Sequence, residues 1–223
     1  MPKPINFSEK FEIIKLNINN FNKTIPPYIQ PEQVPTKWKL PFKVLALRET
    51  SFLRFLSIVN EIPRLYEENK PIPALILLRS ALEMTVLIYK LHIEIDKAIS
   101  TENVDRLNEF VKKCLIGSRS RLTDVHPHNI NASINEMNKK FKGIKGWYEM
   151  LCGYTHPNYE GMMLSFSKWN EEKFIMELGP RNLEHHKSKV IFPLESILMI
   201  FNHYYNGVGD EIQELVKLFN KRK

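Results

Sequence analysis

Residues 72–91 read IPALILLRSALEMTVLIYKL, and this stretch decides the fold class. Ala, Leu, Ile, Met and Val dominate it, which predicts a long helix with most of its circumference against protein. One charge pair interrupts the run, Arg79 and Glu83, four residues apart. Four residues turn a helix through about 400°, so the two side chains stand nearly above one another. A guanidinium or carboxylate among apolar neighbours costs several kcal/mol unless it finds partners. Two arrangements meet that cost. One is an intrahelical ion pair on a half-exposed face. The other is a site in which Arg79 presents its forked donors to phosphate and Glu83 orients it or accepts a histidine N–H.

The pattern on either side of this run predicts a mostly α protein, a helical bundle of long antiparallel helices with one small β-hairpin. Residues 1–40 read as an N-terminal helix (Phe7, Phe11, Ile14, Ile18) followed by a proline-rich extended arm with Pro26, Pro27, Pro31 and Pro35. Residues 41–223 read as a single helical domain. Its first helix is expected from Phe42 to about Asn69, kinked or broken at Pro63. A short turn at Asn69 and Pro71 leads into the central helix, to about Asp96. A helix capped by Thr101 and an irregular stretch over 118–133 follow. Further helices are expected at 134–141 and from 145 to Gly153 or His156, closed by Pro157. Met162, Leu164 and Phe166 alternate, as do Phe174, Met176 and Leu178, so a hairpin near 162–178 is expected with its turn at 169–172. Helical periodicity returns over 188–205 and 210–221, with Gly207 and Gly209 as the interruption between them.

The 223 residues carry a net charge of +7, 43% hydrophobic and 26% charged residues and only 8 Gly, ordinary values for a folded helical protein. The positive charge suits a polyanion such as RNA and equally suits a solvated lysine face. Cys114 and Cys152 form no CxxC pair, so a disulfide framework and a cysteine zinc site are not expected. His126-Pro127-His128 and His185-His186 lack acidic partners at ligand spacing, and no metal or other cofactor is expected. The N-terminus shows no signal-peptide pattern. Arg79 and Glu83 would each add about 2.5–3.5 kcal/mol to membrane insertion of the central helix. The expectation is a cytoplasmic protein with no membrane partner. Phosphate loops, nucleophile elbows and HExxH motifs are absent, which argues against nucleoside triphosphatase, α/β-hydrolase and metalloprotease chemistry.

The partner expected for Arg79 lies far along the chain, in the segment YEMLCGYTHPN at 148–158. His156 falls at a helix end, where carbonyl dipoles favour an imidazolium; it can serve as general acid or base, or simply cap the helix. Tyr148, Tyr154 and Asn158 can supply hydrogen bonds or a stacking surface. Lys142 and Lys145, with Lys139 and Lys140, lead into this segment and can hold a phosphate near it. A second group, SRSRLTDVHPH at 118–128, separates Arg121 from His126 by four residues and Arg119 from His126 by six.

An Arg, four to six residues, then His is the pattern of HEPN ribonucleases, which Arg121 and His126 resemble, as does the Arg181–His186 pair. In that family the motif lies on a helix, and two copies meet across a homodimer to form a metal-independent RNA-cleaving cleft. A closer resemblance is to HEPN-like bacterial proteins that pair an R-[ST]-x-x-E helix with a later Y-x-x-L-[SC]-x-x-x-H segment. Here RSALE at 79–83 and YEMLCGYTH at 148–156 carry it. That resemblance covers about 41–219. It implies a bundle in whose interior Arg79, Glu83, Tyr148 and His156 converge, and a toxin, abortive-infection or antiviral defence role with an antitoxin or sensor protein as partner. The functional expectation is therefore a protein acting on RNA, as a metal-independent ribonuclease with Arg79, Glu83 and His156 as catalytic residues and Arg121 and His126 as the alternative. The rivals are a non-catalytic interaction or sensor module, and an RNA- or nucleotide-binding protein without chemistry.

Overall fold

A computed structural model describes the backbone of residues 7–221 and the side chains of residues 9–221. The chain is mostly α with one small hairpin. In order run α1 (Phe7–Asn22), α2 (Lys39–Val59), α3 (Glu61–Glu67), α4 (Pro71–Thr101), α5 (Asp105–Ile116), α6 (Ile130–Lys140) and α7 (Ile144–Thr155). After a π-type turn (Tyr159–Met163) come α8 (Leu164–Phe166), β1 (Ser167–Asn170), β2 (Ile175–Leu178) and α9 (Leu183–Lys221). In α1, Phe11, Ile14 and Ile18 are buried as their spacing predicts; the side chain of Phe7 lies outside the described residues.

Several boundaries differ from the sequence pattern, each for a local reason. The break expected at Pro63 falls earlier, at Asn60. A proline ring clashes with the carbonyl four residues back, here that of Val59, so α2 stops there and Pro63 occupies the first turn of α3, where no N–H is needed. Thr101 does not cap α5. It ends α4, its hydroxyl donating to the Lys97 carbonyl at 2.7 Å, and the Asn103 side chain accepts from the Asp105 N–H at 2.9 Å instead. α6 begins four residues before expected, with Asn129 as cap.

The first hairpin strand is also displaced. Met162, Leu164 and Phe166 belong to the π-type turn and α8, and the strands pair as Ser167↔Leu178, Lys168↔Glu177, Trp169↔Met176 and Asn170↔Ile175. The alternation of 162–166 reflects no pleat: Asn158 caps the turn by accepting from the Gly161 N–H at 3.1 Å, and the Ser165 hydroxyl donates to the Glu160 carbonyl at 2.5 Å. Gly207 and Gly209 do not interrupt the last helix, since α9 runs 39 residues through both, and through Pro193.

Contacts divide the chain into two compact units, each assembled from separated segments. The first comprises Met1–Lys23, Leu56–Leu82 and Lys142–Leu198; the second Thr24–Phe55, Glu83–Phe141 and Met199–Lys223. In the first, Ile14, Ile62, Leu75, Leu78, Leu151 and Leu194 are fully or nearly fully buried, each burial contributing about 1.5–3 kcal/mol. Phe11 packs on Tyr66 at 4.5 Å, and the Lys10–Glu195 (2.6 Å) and Lys15–Glu67 (2.9 Å) pairs tie α1 to α9 and α3.

In the second unit, Phe55 stacks on Phe201 at 3.8 Å and Phe52 on Tyr205 at 4.5 Å. Arg48 lies 3.6 Å over the Tyr205 ring and pairs with Glu49, to which the Tyr205 hydroxyl donates at 2.7 Å. Glu94 is fully buried, held by Lys90 at 2.7 Å and Arg106 at 2.8 Å. Burial opposes the charged form of Lys90, but Glu136 and Glu94 outweigh it and its pKa is raised.

The central helix α4 is long and apolar enough to cross a membrane, and 56% of its most apolar window is buried in protein. It is not buried on all sides. Pro73, Ile76, Leu77, Ser80, Glu83 and Leu87 make a less buried stripe at three- and four-residue spacing, and Arg79 beside it is half-buried.

Candidate active site

In the first unit α4 presents Arg79 to one face of α7. Its Nη2 donates to the Tyr148 hydroxyl at 2.8 Å and its Nε to Cys152 Sγ at 3.2 Å. The guanidinium carbon lies 5.0 Å from the centre of the Tyr148 ring. Tyr148 and Cys152 are one helical turn apart, so the two acceptors meet two prongs of a planar fork. All three side chains are half-buried, which lowers the desolvation cost expected for an interior site and leaves the group within reach of solvent.

His156 continues the same face, one turn beyond Cys152, but it is exposed. Of the residues expected to converge in the interior, Arg79 and Tyr148 meet here, both half-buried, while His156 lies at the surface. Pro157 is the physical reason: it forces His156 into extended backbone (φ −95°, ψ 151°), so the residue leaves the helix as its C-cap, its N–H donating to the Cys152 carbonyl at 3.1 Å. Glu83 lies one turn beyond Arg79 on α4, half-buried, as the first residue of the second unit.

The remaining expected residues are dispersed. Tyr154 is not a surface for ligand but is buried, 3% exposed. Asn158 is exposed and spent as the turn cap described above. Lys142 and Lys145 are exposed, Lys145 lying 3.7 Å from Glu149. Arg121 and His126 are both exposed in the connection between α5 and α6, with Arg121 at a φ of 58°, and among the described residues no hydrogen bond joins them. That motif stands on a loop, as the sequence reading has it.

A buried polar chain was not foreseen. The Lys189 ammonium donates to the Tyr154 hydroxyl at 2.8 Å, which lies 3.1 Å from His186 Nδ1; His186 Nε2 lies 3.5 Å from Ser165 Oγ. The directions follow from the donors. Lysine can only donate, so Tyr154 passes its one proton to Nδ1, and the remaining imidazole proton sits on Nε2, facing Ser165. Ser165 gives its own proton to the Glu160 carbonyl, so His186 is no general base for Ser165 and the chain is structural. Burial, with His185 and Lys189 adding to it, pushes the His186 pKa down to about 4. In sequence His186 sits in the polar run LEHHKSK, with no apolar periodicity to mark its burial; only the packing of α7 and α8 around α9 creates it.

Among the described residues no three His, Cys, Asp or Glu side chains converge as metal ligands. Compared with known proteins, the chain matches no protein-family model, no curated protein and no solved structure.

Proposed function

We propose that this protein binds and cleaves RNA, in the manner its resemblance to HEPN-like proteins implies. The observation that carries the reading is the Arg79 fork held on Tyr148 and Cys152, on the α7 face that ends in solvent-exposed His156. Arg79 draws the scissile phosphate to that face and stabilises the charge that accumulates on phosphorus-bound oxygens. Tyr148 positions Arg79. Neutral His156 takes the proton of the 2′-hydroxyl, whose oxygen attacks the adjacent phosphorus; the bond to the 5′-oxygen breaks and that oxygen takes a proton from water. The products are a 2′,3′-cyclic phosphate and a free 5′-hydroxyl. Glu83 acts as an orienting carboxylate next to Arg79.

The purified protein is expected to degrade RNA in the presence of a chelator. Arg79→Ala and His156→Ala should each lower the rate at least a hundredfold with helical circular dichroism unchanged. Parental rates in both variants would sink the reading.

A second reading, a non-catalytic interaction module within a defence system, is favoured by the hairpin. Trp169, Met176 and Leu178 share one strand face, which Phe174 extends, and all four are exposed, while Asn170, Glu177 and Arg181 bond one another on the other side. On this reading Arg79 only locks α4 to α7. Arg79→Ala would then lower the melting temperature while His156→Ala would not, and no cleavage of RNA would occur with any variant.

A further inference from the structure

The first turn of α2 breaks an electrostatic rule. A helix N-terminus carries partial positive charge and favours Asp or Glu. Here no acidic residue occupies the first turn, and Lys37, Lys39 and Lys43 crowd it instead. All three are exposed, and among the described residues none has an acidic partner. The contrast with α6 is instructive: its Lys139 and Lys140 stand in the last turn, where they complement the helix dipole and need no other explanation. Local choices that oppose the fold mark functional sites.

Trp38 immediately precedes that turn, 48% exposed. One side of its indole leans on Phe219, with ring centres 5.5 Å apart. Two grooves adjoin it, of about 310 and about 440 Å³, and both are lined by Lys37, Trp38, Lys39 and Lys43. Asp105 also borders the larger one, the single acidic side chain there. Unpaired ammonium groups and the N-terminus of a 21-residue helix meet on the same rim as an exposed aromatic face.

We infer that this surface of the second unit is a binding site for single-stranded RNA, in which a base stacks on Trp38 and the flanking phosphates lie along the two grooves against Lys37, Lys39 and Lys43. Two adjoining grooves that share one exposed aromatic residue fit a strand passing across it better than a single nucleotide. Sequence preference is weak, because stacking accepts any base. The choice of RNA as the polymer rests on the proposed function; the charge and stacking argument for a polynucleotide does not.

The test uses the full chain carrying His156→Ala, so that cleavage cannot interfere, and a fluorescently labelled ten-nucleotide oligouridylate read by anisotropy. Trp38→Ala should weaken binding about tenfold, and Lys37→Glu with Lys39→Glu and Lys43→Glu at least thirtyfold, the triple variant melting no lower than the parent because its lysines are exposed and unpaired and glutamate suits a helix N-terminus. Lys139→Glu with Lys140→Glu should change binding less than threefold. Uridine monophosphate at millimolar concentration should not compete. Parental affinity in both the Trp38 and the triple-lysine variants overturns the site. Equal competition by the mononucleotide overturns the polymer. Binding to phosphatidylserine vesicles without binding to the oligonucleotide overturns the nucleic-acid assignment. Because only binding is read, failure of Arg79→Ala or His156→Ala to affect cleavage leaves this result standing, and loss of this site leaves the cleavage test standing.

Discussion

His186 and Arg79 illustrate opposite fates of a polar side chain. Arg79 keeps access to water while two acceptors hold its fork, which is how a group can be both positioned and available. His186 is fully buried and its proton inventory is already committed by Tyr154 and Ser165. Charging it would strip an imidazolium of water in the interior, with His185 and the Lys189 ammonium adding repulsion, which is why its pKa falls from 6.5 to about 4. The unfolded chain therefore binds this proton at higher pH than the folded one does. Stability is complete above about pH 6.5 and declines as pH falls towards 4, by about 3 kcal/mol if the full shift is expressed. Urea unfolding at pH 7.5 and 4.5 should show that loss in the parent, and His186→Gln should remove most of this pH dependence while lowering stability at pH 7.5. An unchanged pH dependence in the variant would mean that other groups govern acid unfolding.

At the scale of elements, α9 shows tertiary packing overriding propensity. Two glycines two residues apart signal an end, each costing about 1 kcal/mol relative to Ala inside a helix, yet the helix passes through both because Phe201, Tyr204, Val208, Ile212 and Leu215 are buried along one face. The two glycines are not equivalent. A Cβ at Gly207 would meet nothing within 4 Å, whereas one at Gly209 would lie 2.9 Å from Arg48 Nη2. That guanidinium is fixed by its stack on Tyr205 and by Glu49. Gly207→Ala should therefore raise stability by about 0.5–1 kcal/mol, and Gly209→Ala should gain nothing or lose about 1 kcal/mol, both read from denaturant midpoints. Equal gains at the two positions would show that Arg48 is free to move.

Over the whole molecule the excess of positive charge, +7, is a statement about partners and salt rather than about fold. If three lysine–phosphate contacts form on a single strand, affinity for the oligouridylate should fall about twentyfold between 50 and 200 mM salt, from a slope of about 0.7 per contact. The triple-lysine variant should flatten that dependence to less than threefold. A parental protein whose affinity is indifferent to salt would remove the electrostatic account of RNA binding altogether.

Local sequence sets most of the element types and the end of α7 at His156, because a 20-residue apolar run, prolines in clusters and three- and four-residue periodicities act through local sterics and one-face burial; the alternation over 162–166, taken up by a π-type turn and a short helix, is the exception. It also singled out Arg79 and Tyr148, since a charge inside an apolar run demands a partner and only a few segments can supply one. Tertiary structure alone decided the rest. It buried Tyr154 and His186 among residues whose local pattern is polar, and carried α9 across Gly207 and Gly209. It also gathered Lys37, Trp38, Lys39 and Lys43 with Phe219, about 180 positions away in the chain, on one rim. Periodicity records which face of an element is apolar; what that face meets, and which polar groups are trapped with it, depends on contacts between segments that no local pattern encodes.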